Sequence, residues 1–154
     1  MNTILLAIGD SDENRIDQLL DETIAIAGPT GATVVLGHVF THEAYDKART
    51  DLSFDGPAAE VTPDVVAERY SIIREAAKTL ADHGIDTEIR GILGEDGEAV
   101  VDLAERIEAD RILIGGRRRT PAGKAVFGST AQAILLSAPC PVTFVRATAP
   151  KQVA

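Results

Sequence analysis

The chain has 154 residues, 45% of them hydrophobic, and a formal net charge of -9 from 24 acidic against 15 basic side chains. That balance excludes the broad basic footprint of a generic nucleic-acid binder and gives little attraction to an anionic membrane surface. A single cysteine, Cys140, excludes an intramolecular disulfide and a multi-cysteine metal site.

The N-terminal run has no basic lead and is too short for a signal h-region, and no stretch approaches a membrane span, so the expected location is cytoplasmic. Residues 4–8 (Ile-Leu-Leu-Ala-Ile) are continuously apolar and of strand length, which predicts a buried strand. Ser11, Asp12, Glu13 and Asn14 supply a helix cap and an acidic first turn. Ile16, Leu19, Leu20, Thr23, Ile24 and Ala27 follow at helical spacing until Gly28 and Pro29 stop the helix. Residues 33–40 read as a second strand. Residues 41–62 show no clean period and contain Gly56-Pro57, which reads as a loop. Thr62 as cap and Pro63 at the first helical position open a helix running to about His83, with Gly84 as its stop. A strand over 86–93 precedes the Gly94-Glu95-Asp96-Gly97 turn and a helix carrying Val100, Val101, Leu103, Ala104 and Ile107. Residues 111–114 form another apolar strand, 127–137 a helix and 141–146 the last strand. Residues 1–146 are read as one domain and 147–154 as a frayed tail.

Strands alternating with helices require crossover connections, so the predicted fold is α/β, a doubly wound five-stranded parallel sheet with helices on both faces. Ligands of such sheets sit beyond the carboxyl ends of the strands, where the strand order reverses. That rule selects residues 8–12, 39–42 and 114–130.

The third segment combines several properties. Gly115 and Gly116 let the backbone leave the strand sharply and approach a ligand. Arg117, Arg118, Arg119 and Lys124 concentrate positive charge in an acidic chain. Gly128, Ser129 and Thr130 lie in the opening turn of a helix, where N–H groups and the helix dipole favour a phosphate. Physical features alone leave a ligand-free solvated basic loop equally open.

Residues 4–8 with Ser11, Gly37-His38-Val39 ending the second strand, Gly94, the 115–130 loop and Pro141-Val142-Thr143-Phe144-Val145 together resemble the universal stress protein family over nearly the whole chain. The resemblance implies an adenine nucleotide alpha hydrolase-like, Rossmann-like sheet and a homodimer joined through its last strand. One branch of the family binds ATP with a Gly-x-x-Gly-(nine residues)-Gly-Ser/Thr loop, which Gly115 and Gly128-Ser129 match at the required spacing. The nucleotide site so implied takes in Ala7, Ile8, Gly9, Val39 and Ile114 around the adenine. Gly115, Gly116, Arg117, Arg118, Gly128, Ser129 and Thr130 surround the phosphates. ATP or AMP is the implied ligand, with magnesium left open. Two positions depart from the branch. Arg118 stands where its second glycine falls, and Gly9 stands where it has an aspartate, with Asp10 displaced by one. These departures keep open a non-nucleotide branch of the same family acting through protein–protein contacts.

Enzyme readings find less support. Gly9-Asp10-Ser11 resembles the start of GDS-type esterases, yet none of His38, His42 and His83 lies where a base would be needed. Gly123-Lys124 is followed by Ala125, so a Walker loop fails. A receiver domain would need a phospho-accepting aspartate that the strand ends lack. No catalytic or metal-binding residue is assigned, and a slow ATPase is the most that is expected. His38 is expected to be a packed core residue and Cys140 a buried structural thiol. Val142, Phe144 and Arg146 are expected on an edge strand that pairs with a second copy.

Overall fold

The computed structural model describes residues 1–51, 62–94, 97–116 and 129–146. Its strands are β1 (Thr3–Ile8), β2 (Thr33–Phe40), β3 (Thr87–Leu93), β4 (Arg111–Gly116) and β5 (Val142–Arg146). They form one sheet of order β3-β2-β1-β4-β5, parallel at every pairing. β1 is central, with a neighbour on each side and helices on each face, which is why Ile4, Leu5, Leu6 and Ile8 are fully buried and why its sequence does not alternate.

Alternate residues feed two cores. Ile4, Leu6, Ile8, Val34, Leu36, Leu113 and Val145 face α1 (Ile16–Thr30) and α4 (Ser71–Asp82), meeting Leu19, Ile73, Ala76 and Leu80. Leu5, Ala7, Val35, Ile112 and Ile114 face α5 (Glu98–Arg106) and α6 (Ser129–Ser137), meeting Val100, Leu103, Ala104 and Ile134. Each fully buried Leu or Ile contributes about 1.5–3 kcal/mol. An almost wholly aliphatic core therefore suffices in a chain with 4% aromatic residues.

Several element bounds differ from the sequence reading for identifiable reasons. A 3₁₀ turn, Asp10–Arg15, precedes α1, and Asp12 caps that turn and not the α-helix itself. α1 continues through Pro29 to Thr30, because the fixed φ of proline suits a helix and its missing N–H costs one bond on an exposed face. Gly31 ends it, with φ 70° and its N–H donating to the Ala27 carbonyl at 2.9 Å.

The segment read as a loop contains a helix, α2 (His42–Asp51). Thr41 caps it through its Oγ1, which accepts the Ala44 N–H at 2.9 Å. The helix read as continuous from Pro63 is two, α3 (Pro63–Arg69) and α4, broken at Tyr70, whose ψ of 133° is extended. The Tyr70 ring stacks on Phe40 at 5.2 Å and lies 4.5 Å from His38. Tyr45 joins from α2, 5.7 Å from Phe40. These rings form a small third core over the end of β2.

Candidate functional site

β2 and β3 lie to one side of β1, while β4 and β5 lie to the other. The order therefore reverses between β1 and β4, and the crevice predicted by topology opens beyond Ile8 and Gly116. Ala7 pairs with Ile114 across it. Ala7 and Ile114 are buried, at 6% and 4% exposure, and Val39 packs against the same α5–α6 face. The structure thus brings together three of the residues proposed to line an adenine slot. The Ile8 side chain points to the opposite face, into the α1–α4 core, which leaves only its backbone at the rim.

Gly9 caps the 3₁₀ turn in an extended conformation (φ -110°, ψ 173°). Its N–H donates to Asp12 Oδ2 at 2.8 Å, and its carbonyl accepts the Asp12 N–H at 3.0 Å. Ser129 and Thr130 open α6, and Thr130 is half-buried. Gly97, with φ 80°, begins α5 so close to α6 that a Cβ there would stand 2.8 Å from the Thr130 carbonyl oxygen. Arg117, Arg118, Arg119, Lys124 and Gly128 lie outside the described residues.

The role assigned to Gly115 and Gly116 is corrected. Both remain within β4, and neither is among the described glycines with positive φ. Their missing side chains make room for the protein's own groups. A Cβ on Gly115 would lie 2.6 Å from Asp12 Oδ1 and 2.7 Å from Arg15 Cδ. A Cβ on Gly116 would fall inside the Phe144 ring, 1.6 Å from Cζ. Phe144 accordingly turns onto β4, packing against the α5–α6 core from the edge strand.

The sequence reading took Asp12 as part of a helix cap and did not name Arg15, yet among the described residues both stand at the rim. Both are buried, at 6% and 8% exposure. Arg15 Nε donates to Asp12 Oδ1 at 2.6 Å, and Nη1 donates to the Gly116 carbonyl. The pair therefore ties the turn after β1 to the end of β4 across the crevice. An acid–base pair three residues apart, immediately after a central strand, was the available signal.

His38 is fully buried against Phe40 and Tyr70, as a core histidine. Cys140 is half-buried, and burial first, then the nearby Asp110, pushes its thiol up from the ordinary range, away from reactivity at neutral pH. Among the described residues no three His, Cys, Asp or Glu side chains form a metal-sized group. No described helix is long and apolar enough to cross a membrane.

The universal stress protein family model matches residues 1–146. The chain belongs to the universal stress protein family. It is 32% identical to a universal stress protein of Mycolicibacterium smegmatis over 96 residues, 62% of this chain and 74% of that one. A universal stress protein structure from Archaeoglobus fulgidus superposes with a TM-score of 0.67 at 24% identity, covering 94% of this chain and 98% of that one. A universal stress protein in complex with cAMP gives 0.66 at 21% identity, covering 96% and 98%. Structures with dAMP bound (Archaeoglobus fulgidus) and with AMP bound (Arabidopsis thaliana) share the fold at TM-scores of 0.63. All four carry the same α/β sheet.

Proposed function

We propose that this universal stress protein binds an adenine nucleotide, AMP or ATP, in the crevice between the carboxyl ends of β1 and β4, and serves as a homodimeric sensor or adaptor. The observation that carries the reading is the placement of a buried cation, Arg15, at the topological switch point of an acidic protein. At the same end of the sheet, on its other face, lie an apolar strip of Ala7, Val39 and Ile114 and the first turn of α6. Relatives of the same fold hold cAMP, dAMP and AMP, which supports the adenine nucleotide as the ligand class. Arg117, Arg118, Gly128 and Ser129 are proposed phosphate partners on sequence grounds, with magnesium as an optional companion. Cytoplasmic location and pairing through β5 belong to the same proposal.

A second reading is favoured by one feature. The chain's own Asp12 and Arg15 fill the space beside Gly115. An interaction protein without a nucleotide would keep such a crevice closed.

Thermal unfolding with AMP and ATP separates the two readings. A ligand bound only to the folded state at a hundredfold excess over Kd stabilises by about 2.7 kcal/mol. The nucleotide reading expects an upward shift in Tm that Gly128→Trp abolishes. No shift with any adenine nucleotide, at low or high salt, leaves the second reading standing.

A further inference from the structure

We propose that Asp12 competes with ligand phosphate for Arg15, so that Arg15 favours phosphorylated nucleosides over unphosphorylated ones and Asp12 moderates that preference. This inference rests on the nucleotide reading and names the residues that set specificity within it. Arg15 Nε meets a single carboxylate oxygen at 2.6 Å, and the other oxygen of that carboxylate is held by the Gly9 N–H at 2.8 Å. The carboxylate thus occupies the place of an anion between the end of β1 and the guanidinium. The Arg15 fork, which also donates to the Gly116 carbonyl, is the donor geometry that suits phosphate as well as carboxylate.

The packing shows that the pair is built into this position. Only a residue without Cβ at position 115 leaves room for Asp12 Oδ1, Arg15 Cδ and Arg15 Nε, which would stand 2.6, 2.7 and 2.8 Å from one. Breaking a buried ion pair leaves an uncompensated charge, so a phosphate must take the carboxylate's place at the guanidinium while Asp12 Oδ2 keeps the Gly9 N–H. Losing the cation altogether would strand a charge, which is why the guanidinium keeps a partner in either state. A nucleoside without phosphate offers no such exchange and leaves the clasp shut.

Titration calorimetry with adenosine and with AMP, on the full chain and on Asp12→Asn and Arg15→Gln, tests this. The readout is the ratio of the two affinities in each protein, with folding checked by circular dichroism. Asp12→Asn removes the competing charge while keeping the Gly9 contact, and the preference for AMP over adenosine rises by about fivefold or more, the lower end of ordinary coupling between sites. Arg15→Gln lowers that preference by a similar factor. If AMP binds and the ratio is the same in all three proteins, the pair is merely a structural clasp and the inference falls while the nucleotide reading stands. If none of the three binds either compound, the nucleotide reading falls and takes this inference with it. Should Asp12→Asn fail to fold, Arg15→Gln alone decides, and a ratio equal to wild type overturns the proposal.

Discussion

Asp110, in the turn before β4, clamps the start of β1. Its Oδ2 accepts the backbone N–H of Asn2 at 2.7 Å and of Thr3 at 3.1 Å. These two bonds, Asn2 first, hold its carboxyl below the ordinary 3.8. A carboxyl depressed in the folded state contributes stability that is complete above its unfolded value and disappears as pH falls through its folded one. Asp110→Asn should therefore lower Tm at neutral pH, and the gap to wild type should close in acid below 3.8. Thermal melts across that range check the sign, and a gap independent of pH would show that the carboxylate is not the clamp. The glycines of β4 carry a different lesson at the same scale. Their small size was visible in the sequence, but a missing Cβ does not say what fills its place. Phe144 lies 28 residues and Arg15 101 residues from Gly116 in sequence, and only the parallel pairing of β4 with β5 and the turn after β1 bring them to it.

Among the elements, those with a dense apolar pattern were legible and those held by tertiary contacts were not. The strands β1, β2 and β4 and the buried faces of α1 and α5 follow from apolar spacing, because burial needs a stripe of matching period. Among its described side chains α2 buries only Ala48, and it is held by the Thr41 cap and the Tyr45–Phe40 ring contact, neither of which produces a periodic signal. The break at Tyr70 likewise reflects where its ring finds Phe40 and His38. α3 has a further task. β3 is an edge strand, and α3 lies on it so closely that a Cβ on Gly91 would stand 2.1 Å from the Pro63 carbonyl oxygen. The Gly91 N–H donates to Asp64 Oδ1 at 2.7 Å, satisfying a donor of an otherwise open edge. Asp64→Ala should cost about 1 kcal/mol, and Gly91→Ala, which must push α3 away, about 1–3 kcal/mol. Denaturant melts give both values, and hydrogen exchange in β3 should rise in each variant. Unaltered exchange there would mean that α3 does not guard the edge.

At the scale of the molecule, one edge of the sheet is covered and the other, β5, is the last strand in the order. β5 ends in exposed Arg146, and Leu136 on α6 is 79% exposed. Among the described residues β5 has a strand on one side only, and such an edge favours pairing with a second copy. Sedimentation at micromolar concentration should accordingly give a dimer, and a monomer at every concentration would remove β5 from the proposal. With a net charge of -9 on each copy, such association should strengthen with added salt.

The alternation of apolar strands and helical patterns determined the doubly wound sheet without further help, since a parallel sheet needs crossovers and each crossover has one favoured hand. It also selected residues 8–12, 39–42 and 114–130 at the carboxyl ends of three strands, and the strand order then placed the reversal between β1 and β4. What the sequence could not decide is the occupancy of that rim. Ala7, Val39 and Ile114 share one face through strand register, while Arg15, Asp12 and Gly115 meet on the other. Such meetings depend on distances between residues far apart in the chain, and side-chain volume and charge act on neighbours in space, which only the tertiary structure supplies.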